Sequence, residues 1–144
     1  MGRKVMQQQG AGLRVFLGLI EDFCRQHEGD ASLADFVDTL REKAAEWQAL
    51  TLQVGQRAVS NPEEVGAAAY DYLFYSGYVA LAYWWARSVA AADASDHPQA
   101  FKDAKRETAR FYFERVLPRT LSHARAMASG AASLMGRQFD IEGV

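Results

Sequence analysis

Leu33, Phe36, Val37, Leu40, Ala44, Trp47, Thr51, Val54 and Ala58 fall at intervals of three and four, with one adjacent pair. Held for about seven turns of 3.6 residues, that rhythm lays one side of an α-helix against a core and rules out the alternation of a half-buried strand. Leu13, Phe16, Leu17, Ile20 and Cys24 repeat it, as do Phe113, Leu117, Thr120, Ala124, Met127, Ala131 and Leu134. Strand-like alternation is absent, and plentiful Ala, Leu, Glu, Arg and Gln add helix preference in the same windows. The chain is predicted to be all-α.

Punctuation divides it into four helices. The three prolines stand at positions 62, 98 and 118. Before Pro62, Asn61 can cap a helix, with Glu63 and Glu64 favouring its positive end and Glu64 able to close a capping box. Asp96-His97-Pro98 offers a second start, and Ser32 with Asp35 a third. The helices are predicted over roughly 3–27, 32–59, 62–94 and 98–135, and short joints make them an up-and-down antiparallel four-helix bundle, one domain spanning residues 1–144. Pro118 interrupts the last pattern, so a kink is expected from Glu114 to Pro118. Gly10 and Gly12 leave Met1–Gln9 as an arm or a separate turn, and Gly136–Val144 is expected to be irregular. At 144 residues and 49% hydrophobic content, one domain can bury a core without a disulfide or metal staple.

Charge and cysteine use exclude several classes. Sixteen basic against 18 acidic residues give a net charge of -2, without the basic stripe that nucleic acid requires. The single cysteine excludes an internal disulfide framework and any multi-cysteine zinc or iron–sulfur centre, and it fits a reducing cytoplasm. The longest apolar stretch, Tyr78 to Ala86, stops at Arg87, short of a membrane span. Basic Met1-Gly2-Arg3-Lys4 leads into glutamines, so it does not read as a secretory signal.

The third helix carries surplus apolar surface. One stripe runs Val65, Ala69, Tyr72, Ser76, Val79, Tyr83, Ala86 and Ala90; another runs Phe74, Tyr78, Leu81 and Trp85. Residues 72 and 74 lie about 200° apart, so the stripes occupy nearly opposite faces. The second is either covered by the kinked fourth helix and the N-terminal arm, filling a bulky core, or exposed as a docking face. Phe74, Tyr78, Leu81 and Trp85 are the candidate docking residues.

Candidate chemistry is sparse. Asp71 lies in this aromatic helix, where an unpaired charge is costly, and Arg110, Arg115 and Arg119 are its expected partners in a structural ion pair. Glu107 and Glu114 read as surface charges. Cys24 and His27 share a helix face, but two donors are too few for a closed zinc site. The residues three before His27, His97 and His123 are Cys24, Ala94 and Thr120, so no di-iron Glu-x-x-His pair exists. A Met6–His123 haem site has no further support, and no Cys-x-x-Cys-His attachment exists. Ser122-His123 lacks a sequence-evident orienting acid. Gly10-Ala11-Gly12 is too short for a phosphate loop. No catalytic, cofactor-binding or metal-binding residue is assigned.

Ala69-Tyr70-Asp71-Tyr72-Leu73, then Ser76-Gly77-Tyr78-Val79-Ala80-Leu81-Ala82-Tyr83-Trp84-Trp85, resemble the extra C-terminal helical domain of the larger acyl-CoA dehydrogenases. Lys105 with the run Thr108-Ala109-Arg110-Phe111-Tyr112-Phe113-Glu114-Arg115-Val116-Leu117-Pro118-Arg119-Thr120 extends the resemblance. Gly2-Arg3-Lys4-Val5 resembles the segment by which such enzymes leave their catalytic core. The resemblance implies a parent flavoenzyme that oxidises acyl-CoA thioesters to 2,3-enoyl-CoA, with FAD, a glutamate base and an electron-transferring flavoprotein as acceptor. No segment here matches the family's flavin-binding or base-bearing motifs. The expected role is therefore an accessory domain that packs on the catalytic domains in cis or trans, supports homo-oligomer contacts or covers the substrate site. The alternative is an independent helical interaction or oligomerisation module.

Overall fold

The computed structural model describes residues 2–135, with side chains from Gly10 to Leu134. The expected irregular tail at 136–144 and the side chain of Met6 lie outside the described residues. Helices α1 (Gly2–Gln26), α2 (Ala34–Ser60) and α3 (Glu63–Asp93) are followed by α4 (Gln99–Phe111), α5 (Thr120–Ser129) and a short α6 (Ala132–Met135). The fold is all-α, with no strand among the described residues.

Side-chain contacts fix the helix directions. Along α2 and α3, the Tyr75 hydroxyl lies 3.3 Å from the Lys43 carbonyl, Thr51 meets Tyr72 (3.0 Å) and Arg57 meets Glu64 (3.1 Å). Numbers that rise on one helix and fall on the other mean antiparallel packing. Against the last segment, Tyr112 donates to the Tyr78 carbonyl (2.9 Å), His123 meets Asp71 (2.8 Å) and the Ala131 amide donates to Glu64 (3.1 Å), so this pair is antiparallel too. On α1, the Phe16 ring lies 6.0 Å from Trp47 and 5.3 Å from Tyr83. Ile20, Leu33, Leu40, Tyr75, Val79, Leu117 and Met127 are fully buried between these helices. Each such side chain contributes about 1.5–3 kcal/mol.

Regular α-geometry fails around Pro118. Between α4 and α5 the chain forms a π-helical segment, Tyr112–Val116, then a 3₁₀ turn, Leu117–Arg119. Pro118 has no N–H to donate and its ring crowds the preceding turn, so the hydrogen-bond ladder must change period there.

Two helix starts differ from the sequence reading. Asn61 Oδ1 does accept the Glu63 amide (3.2 Å), but the Glu64 carboxylate turns to Arg57 and the Ala131 amide instead of closing a capping box. Before α2, Asp30 Oδ1 accepts both the amide (2.9 Å) and the hydroxyl (2.7 Å) of Ser32, so Ser32 serves a turn and α2 begins later, at Ala34. Gly130 ends α5 at φ +76°, and a Cβ there would stand 3.2 Å from the Glu64 carboxylate. Both the positive φ and the close approach require glycine.

Candidate functional site

α3 is apolar nearly all round, and its neighbours decide which side faces out. Ala68, Tyr75, Val79, Ala82, Ala86 and Val89 are buried on the side of α3 that meets α2, α4 and α5. Gly66, Tyr70, Leu73, Gly77, Leu81 and Trp84 remain outward, with Tyr70 65%, Leu73 69%, Leu81 51% and Trp84 51% exposed. They form a strip about 27 Å long at 1.5 Å per residue.

The expected docking residues divide between two environments. Phe74 and Leu81 are exposed, whereas Tyr78 and Trp85 are partly buried and pack against the core. The Tyr78 carbonyl accepts from Tyr112, and Lys105 Nζ lies 5.9 Å from the Trp85 ring. Tyr70, Leu73 and Trp84 were missed as outward residues. Their spacing around Gly77 and Leu81 is visible in the sequence, but an all-round apolar helix does not declare which meridian its neighbours leave open.

Asp71 has a different partner from the one expected. His123 Nδ1 lies 2.8 Å from its Oδ1, and among the described residues neither Arg110, Arg115 nor Arg119 makes an ion pair with it. The antiparallel register is the reason. Tyr112 already stands opposite Tyr78, so Arg110 and Arg115 are too high on α3, and the level of Asp71 is reached only on α5. The imidazole stacks on Phe74 (5.5 Å, 13°) and Tyr78 (5.8 Å, 30°). An orienting carboxylate thus exists for His123, but Ser122 Oγ donates to the Arg119 carbonyl three residues back, and among the described residues no nucleophile completes a triad. Asp71→Ala is expected to cost about 1–2 kcal/mol in urea unfolding, and the double variant with His123→Ala to cost less than the two singles together. Additive losses would remove the pair as a stabilising contact.

The remaining candidates stay apart. Cys24 is buried, its thiol pushed up by burial, and lies 3.7 Å from the Val37 carbonyl. The His27 ring lies tilted against Phe23 (4.6 Å, 48°) and approaches Asp30 (4.0 Å). Among the described residues no cluster of three His, Cys, Asp or Glu could hold a metal. Nor is any described helix long and apolar enough to cross a membrane.

A groove of about 520 Å³ lies between α1 and α2, lined in part by Glu21, Glu28, Arg25 and Arg41. Arg25 meets Glu21 and Asp22, and Arg41 meets Glu28, so a dinucleotide pyrophosphate would face carboxylates with the arginines already engaged. These residues do not fit a flavin. The chain therefore supplies a helical scaffold with an apolar outer strip and no assembled reaction centre among its described residues.

No curated protein matches the chain significantly. The profile of the acetyl-CoA dehydrogenase C-terminal like family matches residues 16–138, from the first core turns of α1 through the broken last helix and its Pro118. With that match spanning most of the sequence and the all-α fold carrying it, the chain belongs to the acetyl-CoA dehydrogenase C-terminal like family.

Proposed function

We propose that this chain is the accessory C-terminal bundle domain of a flavin-dependent acyl-CoA dehydrogenase, non-catalytic alone and working in the cytoplasm. In this reading residues 99–135 act as one bent fourth helix of an up-and-down bundle. FAD and the base belong to catalytic domains that it joins in cis or in trans. Its contribution is packing, oligomer contact or cover of the substrate site. The observation that carries the reading is the outward strip of α3 in a chain that belongs to this family. Large apolar side chains kept in water along one helix are the mark of a contact surface.

The test pairs the purified chain with an acyl-CoA dehydrogenase core cut before its own C-terminal helical domain. The chain alone should show neither flavin absorbance nor acyl-CoA oxidation, and adding it should raise the core's thermal stability or turnover. No binding and no effect on the core would overturn the proposal.

A further inference from the structure

The outward strip of α3 reads nearly alike in both directions. Gly77 is its centre, Leu73 and Leu81 stand four residues to either side and Tyr70 and Trp84 seven; eleven away stand exposed Gly66 and, beyond the other end of the strip, half-buried Ser88. At about 100° per residue, all seven positions lie within about 40° of the Gly77 meridian. A two-fold axis across a helix pairs each position with the one equally far beyond the axis, so the same patch serves both copies. We propose that the occupant of this face is a second copy of the chain, with the two α3 helices crossing antiparallel at Gly77. Leu73 of each copy then lies beside Leu81 of the other, and Tyr70 beside Trp84.

Three further observations support that occupant. A Cβ at Gly77 would meet nothing within 4 Å, so packing inside one chain does not require glycine there. A mid-helix glycine costs about 0.5–1 kcal/mol relative to alanine, a cost a crossing helix explains because two backbones can then approach closely. Charge does not oppose the contact: between Val65 and Ala92 the only charged residues are Asp71 and Arg87. Asp71 is turned to His123, and Arg87 lies over the Tyr83 and Trp84 rings at 5.6 and 5.1 Å, at the rim of the strip. The exposed parts of Tyr70, Leu73, Phe74, Leu81 and Trp84 amount to about 500 Å² per copy, or about 1,000 Å² for the pair, the lower bound for a specific interface. A lipid surface is less suited, since Arg87 is the one basic residue that α3 brings to the rim for anionic headgroups.

This inference rests on the outward face of α3 being a contact surface, but it needs no dehydrogenase partner and is tested on the full chain alone. Sedimentation should find a dimer. Leu81→Asp enters the symmetric contact twice and should weaken dimerisation by about 100-fold with helicity unchanged. Leu73→Asp, at a similarly exposed position, repeats the measurement. Gly77→Cys should form an interchain disulfide rapidly under mild oxidation, whereas Ser88→Cys, whose counterpart is Gly66, should not. A chain that stays monomeric to millimolar concentration overturns the inference; if that monomer still binds the dehydrogenase core through Leu81, the proposed function survives without it. A dimer indifferent to both aspartates, or crosslinked through Ser88→Cys as fast as through Gly77→Cys, overturns the crossing, as does a monomer that binds lipid vesicles through Leu81.

Discussion

Glu46→Ala is expected to lower the unfolding free energy by about 3–5 kcal/mol, the cost of leaving a buried charge without its partner. That charge is Lys43, 7% exposed, with its Nζ 2.8 Å from Glu46 Oε2 and 3.9 Å from Glu42. The same carboxylate accepts the Tyr75 hydroxyl at 2.5 Å, and Tyr75 is fully buried at the α2–α3 contact. Burial first, and then the bond to Glu46, push the Tyr75 phenol far above its ordinary range. For Glu46, burial raises the carboxyl, but the Lys43 and Tyr75 hydrogen bonds and the Lys43 charge together outweigh it, leaving the pKa below its ordinary 4.5. A folded-state pKa that is lowered contributes stability above the unfolded value and loses it as pH falls through the folded one. Glu46→Gln should therefore flatten part of the acid destabilisation below pH 4.5 while costing stability at neutral pH. Urea unfolding across a pH series reads both effects. A loss under about 1 kcal/mol for Glu46→Ala would mean that Lys43 reaches water when its partner is gone.

The sequence showed where helices form better than how their sides are shared. Phe36, Val37, Leu40, Trp47 and Val54 are all buried, because a polar opposite face leaves α2 one way to lie. Lys43 breaks that pattern, and the Glu46 carboxylate that pairs with it also accepts from Tyr75, 29 positions away in the chain. In α3 the difficulty reverses: apolar residues on every side give the helix no preferred orientation, so Val79 and Tyr83 are buried and Leu73 and Trp84 are not for reasons supplied by α1, α2 and α5. Pairing across helices is the least legible layer. Asp71 demanded a partner by its surroundings, and arginines on the next helix satisfied the chemistry, but the antiparallel register selected His123. Counting turns back from the α3–α4 joint would have found that level on α5, provided that the interruption around Pro118 had been allowed for.

Arg57→Ala should be comparably severe, at about 3–5 kcal/mol, and it acts at the other end of the molecule. Arg57, near the end of α2, donates to the Met127 and Ala128 carbonyls at 2.5 and 3.1 Å and stands 3.1 Å from Glu64. Those carbonyls lie in the last turn of α5, where no further helical amide is available, so the guanidinium serves as its C-terminal cap. Truncation leaves them unsatisfied and strands the Glu64 carboxylate, which is nearly buried and still accepts the Ala131 amide. The double variant Arg57→Met with Glu64→Gln should recover more than half of the loss, because methionine refills the apolar volume and the glutamine carbonyl can still accept from Ala131. Recovery beyond that of Arg57→Met alone distinguishes a stranded charge from a plain loss of packing, which Glu64→Gln would not repair. In hydrogen exchange on Arg57→Ala, α5 amides should lose protection before those of α1 and α2, since the clamp is what ties the end of α5 to the α2–α3 turn. Loss of protection spread evenly over all helices would show instead that the molecule opens as one unit and that the clamp stabilises it only globally. If α5 does open first, it carries His123 away from Asp71 and Phe74, uncovering one flank of α3 while the α1–α2 contact remains.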